Sequence, residues 1–132
     1  MIYKKNKNIT KRKSYKPLDW YCKSTFLNFK IYNDFTIVDS KLFFDKTKIL
    51  KKSNLLLNGY KLNTLKFKII YIFKNKKNKA KKINPNDDYL VIKVPNDCFK
   101  LIVKTSVKLN PKINSSLEGF YESNNMFCTQ CE

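Results

Sequence analysis

The chain has 132 residues, a formal net charge of +18 at neutral pH and no histidine. A chain of this length fits one domain and buries roughly two-thirds of its unfolded surface, so a hydrophobic core is expected. Because it lacks histidine, the sequence itself excludes an imidazole general base and a histidine-ligated zinc centre.

The basic residues are almost all lysine. Of the 28 basic residues 27 are lysine and one is Arg12, and the chain has 16 asparagines but a single alanine, Ala80. Sites for nucleic acid favour arginine, because its planar fork makes paired hydrogen bonds. Codons rich in A and T raise lysine, asparagine, isoleucine, tyrosine and phenylalanine together. The composition therefore favours codon bias as the origin of the charge, and weak, non-specific binding of nucleic acid is expected.

Residues 1–13, MIYKKNKNITKRK, are predicted to be a basic disordered tail, since no apolar segment follows them. No hydrophobic run approaches the roughly 20 residues that a helix needs to span a bilayer, so no membrane partner is expected. The cysteines are expected to be free thiols, because nothing marks the chain for export. They are Cys22, Cys98, Cys128 and Cys131. These features together predict a cytoplasmic protein.

Apolar residues recur at every second position in the first part of the chain, which is the period of a half-buried strand. The first run is TFLNFKIY, with Leu27, Phe29 and Ile31 on one face. The second run contains Val38, Leu42 and Phe44. Next, the segment LLLNGYKL places Asn58-Gly59 between apolar residues. This dipeptide predicts a tight β-hairpin, because both residues tolerate positive φ.

Two longer strands are predicted further along. The segment LKFKIIYIF alternates lysine with Leu65, Phe67, Ile69, Tyr71 and Phe73, and FKLIVKTSVKL alternates lysine with Phe99, Leu101, Val103, Val107 and Leu109. Between them, Lys74–Asp88 has no apolar period, so it is predicted to be a flexible loop before a short strand at Tyr89–Val94. Short strands with one polar and one apolar face predict an all-β fold, an antiparallel sandwich or saddle, with residues 14–132 as a single domain.

The C-terminal segment carries the most specific pattern. Residues Asn110–Glu132, NPKINSSLEGFYESNNMFCTQCE, combine Leu-Glu-Gly-aromatic-Tyr with Cys-Thr-Gln-Cys-Glu. This segment resembles the segment ending in C-T-Q-C-E that characterises aminopeptidase N, the zinc alanyl aminopeptidase family. Weaker similarity runs through YKPLDW (Tyr15–Trp20), LLLNGYKL (Leu55–Leu62) and YLVIKVPNDCFKLIVKTSVKLNP (Tyr89–Pro111). The resemblance implies the first part of the β-rich saddle domain with which that family begins.

The resemblance also implies a substrate site. In the family, the Glu of C-T-Q-C-E accepts hydrogen bonds from the α-ammonium of a peptide, and the Gln lines the pocket for its first side chain. These roles carry over to Glu132 and Gln130. The family's H-E-x-x-H zinc motif is absent, so the chain looks like an aminopeptidase truncated after C-T-Q-C-E. We expect a non-catalytic portion that binds no metal itself and whose full-length form uses zinc, with a separately encoded catalytic chain as one partner.

A further expectation concerns Ser115–Glu132. By the resemblance, Phe120, Tyr121, Met126 and Phe127 would lie against parts of the enzyme that this chain lacks, so the segment is expected to be exposed and mobile. Two other functions stay open from the residues alone. One is a basic β-domain that binds nucleic acid through lysine and aromatic side chains, and the other is a four-cysteine zinc module.

Overall fold

A computed structural model describes residues 12–15, 17–47, 54–59, 62–83 and 89–130. Nine strands form in these ranges: β1 Trp20–Ile31, β2 Thr36–Lys46, β3 Asn54–Asn58, β4 Asn63–Phe73, β5 Lys79–Lys82, β6 Tyr89–Lys93, β7 Cys98–Leu109, β8 Gly119–Ser123 and β9 Met126–Gln130. Helical residues in the described ranges are confined to two 3-10 turns, Arg12–Ser14 and Pro111–Ile113. The predicted all-β class is confirmed.

The strands form three antiparallel sheets. Five of them make the main sheet, in the order β1-β2-β7-β4-β5. Strands β3 and β6 pair with each other and are called the cover pair here. Strands β8 and β9 form the terminal hairpin. In the described part of the chain, β1 and β5 are therefore the two edges of the main sheet.

The core lies between one face of the main sheet, the inner face, and the cover pair. Ile69, Leu101 and Val103 are completely buried, and Ile69 lies opposite Val103 across β4 and β7. Leu55 and Ile92 of the cover pair belong to the same apolar cluster. Burying a side chain of this size stabilises the fold by roughly 1.5–3 kcal/mol. The inner face therefore anchors the molecule.

The other face of the main sheet, the outer face, is rich in lysine. Successive side chains of a strand point to opposite faces, so the residues that alternate with the core residues point outward. They include Lys41 on β2, Lys68 on β4 and Lys104 on β7, which pair across the sheet. The lysines that flank the apolar positions in the sequence thus occupy the face that the alternation predicts.

The long alternation at residues 65–73 is confirmed as β4, with one difference at its start. Phe67 and Phe73 are buried, whereas Leu65 is 49% exposed. The pairing of β4 with β7 shifts register between Thr64 and Lys66. A β-bulge of this kind inserts an extra residue and redirects its side chain, so Leu65 leaves the core.

Strand β1 also forms where it was predicted, but its apolar side is only partly covered. Leu27, Phe29 and Ile31 are 56%, 43% and 50% exposed, whereas Val38 and Phe44 on the neighbouring β2 are buried. An edge strand has a neighbour on one side only. Trp20, at the start of β1, is buried in the core, but over residues 25–31 pairing with β2, more than burial, holds the strand in place.

The predicted hairpin at Asn58-Gly59 is wrong. Strand β3 pairs with β6, and β4 pairs with β7. The chain does turn here, since the Leu62 amide donates to the Gly59 carbonyl at 3.1 Å, but the turn leads from the cover pair to the main sheet. Turn residues determine where a chain reverses. Which strands then pair depends on where their apolar faces are buried.

The predicted loop Lys74–Asp88 is wrong in part, because Lys79–Lys82 form strand β5 against β4. The Phe73 amide donates to the Asn78 side chain at 3.3 Å and closes the turn before it. All four β5 side chains are exposed. Backbone hydrogen bonds alone hold this edge strand, and no apolar period marks it in the sequence.

Two predicted segments fall partly outside the described residues. Residues 84–88 of the predicted loop lie outside them, and so do residues 1–11 of the predicted basic tail. The last two residues of that tail, Arg12 and Lys13, belong to the first 3-10 turn.

Candidate functional site

The predicted substrate segment follows β7 through a turn that Asn114 holds together. Its side-chain nitrogen donates to the carbonyl oxygens of Glu118 at 2.8 Å and Phe120 at 3.0 Å. Its side-chain oxygen accepts from the Ser116 amide at 3.2 Å and the Ser116 hydroxyl at 2.7 Å. Four hydrogen bonds converge on one half-buried side chain and fix the start of β8.

The terminal hairpin turns through Asn124 and Asn125, whose φ angles are 48° and 61°. Two consecutive residues with positive φ form the turn whose twist matches that of the flanking strands. At the entrance to β8, Leu117 and Gly119 also have positive φ, 59° and 70°. Glycine adopts positive φ without the steric cost that a side chain brings. The hairpin itself was not predicted, although the Asn-Asn pair is a signal for it.

The two faces of the terminal hairpin have different surroundings. Phe120 and Phe127 share one face and stack with ring centroids 5.4 Å apart. Phe120 also meets Phe29 of β1 edge to face at 5.7 Å. Gln130 pairs with Gly119, and because Gly119 precedes Phe120 by one residue, Gln130 belongs to the opposite face. The hairpin therefore presents Gln130 away from its contact with β1.

Of the two predicted substrate-binding residues, only Gln130 lies in the described part of the chain. It is an exposed side chain at the end of β9, and Glu132 lies outside the described residues. Tyr121 and Cys128 are opposite each other on the same face as Gln130, and both are half-buried. The Cys128 sulfur lies 3.8 Å from the Met126 carbonyl oxygen. An amide, a phenol ring and a thiol thus neighbour one another on this face.

The apolar residues of the terminal hairpin are exposed in part. Met126 and Phe127 are 63% and 48% exposed, as predicted, whereas Phe120 and Tyr121 are half-buried. The prediction for Phe120 is wrong because it assumed that the segment has no contact with its own domain, and Phe29 provides one. The mobility of the segment stays a prediction.

The described cysteines do not assemble a metal site. Cys22 on β1, Cys98 on β7 and Cys128 on β9 are free thiols. Nowhere in the described ranges do three His, Cys, Asp or Glu side chains gather in a way that would hold a metal ion. Cys131 lies outside these ranges. The four-cysteine zinc alternative therefore has no support from the part of the chain that the structure describes.

The described ranges also contain no helix whose length and apolar character would let it cross a membrane.

A cleft of about 580 Å³ opens at the other end of the main sheet, where β2 and β4 end and β7 begins. Aromatic, acidic and sulfur-bearing side chains line it, among them Tyr21, Asp45, Phe73, Asp97, Cys98 and Phe99. Four lysines complete the rim: Lys46, Lys74, Lys76 and Lys100. No motif in the sequence pointed to this cleft, because its residues come from four strands, β1, β2, β4 and β7, and from the turns next to them.

The cleft's polar groups are already engaged with one another. Lys76 donates to Asp97 and holds the pKa of that carboxyl below its usual value. The Tyr21 hydroxyl donates to Asp45 at 3.4 Å. Burial raises the pKa of the Cys98 thiol, so the thiol is protonated at neutral pH and lacks the thiolate that a nucleophile needs. The cleft has room for a small ligand, but the protonated Cys98 thiol is a poor nucleophile.

Comparison with known proteins identifies a similar fold. No protein-family model matches the sequence. Among solved structures, the crystal structure of Legionella pneumophila aminopeptidase A in complex with aspartic acid is similar, with a TM-score of 0.61 and 19% sequence identity. The likeness covers 87% of this chain and 13% of that chain. At this identity it shows the fold alone: the chain has the fold of a short segment of a peptidase.

Proposed function

We propose that the chain is the part of an aminopeptidase N-like zinc metallopeptidase that binds the amino end of a peptide substrate. The observation that carries the proposal is the segment Asn110–Glu132, whose Cys-Thr-Gln-Cys-Glu ending resembles the substrate motif of that family. The fold likeness to a segment of aminopeptidase A is consistent with the proposal, because a peptidase-related portion is expected to share such a fold. Residues 14–132 would be a single unit at the start of the enzyme's first domain.

The proposed chemistry is recognition of a free α-amino group. This group has a pKa of about 7.7–8.0, so it is mostly charged at neutral pH. A fixed carboxylate at Glu132 would accept its hydrogen bonds and thereby select chain ends over internal peptide bonds, which carry no charge. The Gln130 amide, on the hairpin face with Tyr121 and Cys128, would line the pocket for the first side chain of the peptide.

The proposal assigns no zinc ligand to this chain. The sequence contains no histidine, and the described residues bring no three metal-binding side chains together. In the proposed enzyme, a separately encoded catalytic part supplies the residues that hold zinc. The free thiols of Cys22, Cys98 and Cys128 suit a reducing compartment, and we place the proposed enzyme in the cytoplasm.

Nuclear magnetic resonance tests the recognition step directly. We expect alanyl-alanine amide to shift the backbone resonances of Cys128 and Gln130, whereas its N-acetylated form leaves them unchanged. Glu132→Gln should abolish the response, and the matched variant Glu122→Gln should keep it, because Glu122 lies farther along the hairpin, opposite Phe127. Equal shifts with both peptides, or equal losses in both variants, would contradict the proposal.

An activity assay tests the assignment of zinc. We expect the purified chain to release no N-terminal residue from peptides, with or without added zinc, because it has no histidine ligand. Release of an N-terminal residue by the pure chain, lost on treatment with a chelator, would show that the metal site lies within these residues and that the assignment is wrong.

A further inference from the structure

The pairing of the main sheet places four lysines directly opposite one another on its outer face. Lys41 on β2 lies opposite Lys104 on β7, Lys104 opposite Lys68 on β4, and Lys68 opposite Lys82 on β5. These four residues are called the lysine row. Neighbouring strands are about 4.8 Å apart, so the row crosses four strands over about 14 Å.

The positive charge of the row is not neutralised within the described part of the chain. The ion pairs found there use Lys23, Lys30 and Lys76, and none involves the lysine row. The carboxylates that share the outer face, Asp39 and Asp45, are engaged elsewhere. Asp39 lies 2.8 Å from Lys30, and this hydrogen bond holds its pKa below the usual value.

Like charges directly opposite each other destabilise a sheet. The lysine row therefore costs the folded protein some stability, and a chain of phosphates laid across the strands would relieve that repulsion. A stacked strand of nucleic acid carries one phosphate per 3.4 Å. A row of about 14 Å is long enough for about four of them.

An apolar row runs beside the lysine row, one step along the strands. It contains Phe43, Ile102 and Ile70, which occupy successive strands in register and are half-buried. Phe26 lies at the β1 end of the lysine row, opposite Lys41. It is 62% exposed and meets Phe43 edge to face at 5.8 Å.

We propose that the outer face of the main sheet binds single-stranded nucleic acid, with phosphates on the lysine row and a base stacked on Phe26. Base stacking on an aromatic ring beside a basic track is how proteins hold single strands without reading their sequence. A duplex hides its bases from such a ring. Anionic lipids and acidic peptides match the charge but have no base to stack. Lysine, which lacks the fork of arginine, fits binding that tolerates any sequence.

The test is the affinity of the whole chain for a fluorescent oligo-dT of 12 nucleotides at physiological salt. The row variant carries Lys41→Gln, Lys68→Gln and Lys104→Gln. The control variant carries Lys13→Gln, Lys93→Gln and Lys112→Gln. It removes the same amount of charge from exposed positions that are not part of the lysine row. We expect about a tenfold or greater loss in the row variant and about a threefold or smaller loss in the control.

Salt dependence makes the comparison quantitative. Each phosphate contact on a single strand contributes about 0.7 to the slope of log affinity against log salt. The row variant should therefore lower the slope by about 2, and the control should change it little. Equal losses of affinity and slope in the two variants would overturn the proposal, because the binding would then follow net charge alone.

Three further measurements separate stacking, partner class and folding. Phe26→Ala should weaken binding of oligo-dT severalfold and leave binding of inorganic polyphosphate unchanged. Tighter binding to a duplex of the same length, to phosphatidylserine vesicles or to polyglutamate would overturn the choice of a single strand.

The row variant should unfold at the same or a higher temperature than the parent, because removing opposed charges favours the sheet. A lower unfolding temperature would contradict the proposed repulsion.

Discussion

Asn114 shows how much of a local structure one side chain can hold. Its amide makes four hydrogen bonds, to Ser116, Glu118 and Phe120, in the turn before β8. A typical hydrogen bond contributes about 0.5–1.5 kcal/mol net, and a buried group left unpaired costs about 1–3 kcal/mol. Asn114→Ala is therefore expected to lower the free energy of unfolding by about 1–3 kcal/mol, as measured by urea denaturation.

A second asparagine provides the control for this prediction. Asn33 lies exposed in the turn between β1 and β2, where substitutions usually change stability by less than about 0.5 kcal/mol. If Asn33→Ala and Asn114→Ala cost the same, the hydrogen bonds of Asn114 contribute nothing that a surface asparagine does not.

Ionisation of the Cys98 thiol makes the stability of the folded protein depend on pH in the alkaline range. Burial raises its pKa above the usual value of 9.0. Its contribution to stability is therefore fully present below about pH 9 and is lost as the pH rises through the higher folded-state pKa. We expect the unfolding temperature of the parent to fall more between pH 8 and pH 10 than that of Cys98→Ala.

Thiol modification gives a second readout for the same residue. Cys22 is exposed and Cys98 is buried, so iodoacetamide should label Cys22 in the folded protein and Cys98 only after unfolding. Mass spectrometry of the digested protein measures both. Equal labelling rates in the folded state would contradict the burial of Cys98.

At the level of elements, an aromatic contact joins the terminal hairpin to the main sheet. Phe29 of β1 and Phe120 of β8 meet edge to face at 5.7 Å, and such pairs contribute about 0.5–1.5 kcal/mol beyond their buried area. A double-mutant cycle of Phe29→Ala and Phe120→Ala should give a coupling energy of this size. The pair Phe26→Ala and Phe120→Ala should be additive within about 0.5 kcal/mol, because Phe26 lies on the outer face of the main sheet and Phe120 contacts its inner face.

Hydrogen exchange extends this prediction to motion. We expect the amides of β8 and β9 to exchange faster than those of β7, because the hairpin shares little buried surface with the core. Phe120→Ala should accelerate exchange in the hairpin and leave Leu101 and Val103 protected. Protection of the hairpin equal to that of β7 would show that it belongs to the core.

Elements with an alternating apolar face could be predicted from the sequence, and the others could not. Strands β4 and β7 alternate lysine with residues such as Ile69 and Val103. Because one face of each strand is buried, an apolar residue recurs at every second position, and this period is visible in the sequence. Strand β5 has no buried side chain, and only backbone hydrogen bonds define it. The pairing partner of β3 could not be predicted either, because the pairing depends on residues of β6 that lie more than thirty positions away in the sequence.

The candidate site was predictable only as a resemblance. The ending Cys-Thr-Gln-Cys-Glu pointed to Gln130 and Glu132, while the hairpin that presents Gln130 depends on the positive φ of Asn124 and Asn125 and on a distant contact with Phe29. The lysine row was likewise hidden, because opposition across strands is a property of register, which a single strand's period does not reveal.

On the scale of the whole molecule, the two edges of the main sheet differ. Strand β1 is twelve residues long, and its inner face leaves Leu27 and Ile31 about half exposed. Long, apolar edges are sites of association. We expect the chain to self-associate as its concentration rises, and Leu27→Lys should reduce this in sedimentation velocity.

The matched control adds the same charge to the other face of the same strand. Asn28 lies next to Leu27 and points outward, so Asn28→Lys should reduce self-association less. Equal effects of the two variants would show that net charge, and not the apolar inner face of β1, governs the association.

The composition of β5 limits how far any such association proceeds. This edge has four residues, three of them lysine, and short, charged edges resist further pairing. Two copies joined through β1 would each present only β5 at the outside. The expected product is a closed dimer with a two-fold axis and a continuous ten-stranded sheet, because in the described part of the chain each end of that sheet is the short, charged β5. A fibre that grows through the main sheet would need two complementary edges that favour association, and in the described part of the chain the main sheet has one, β1.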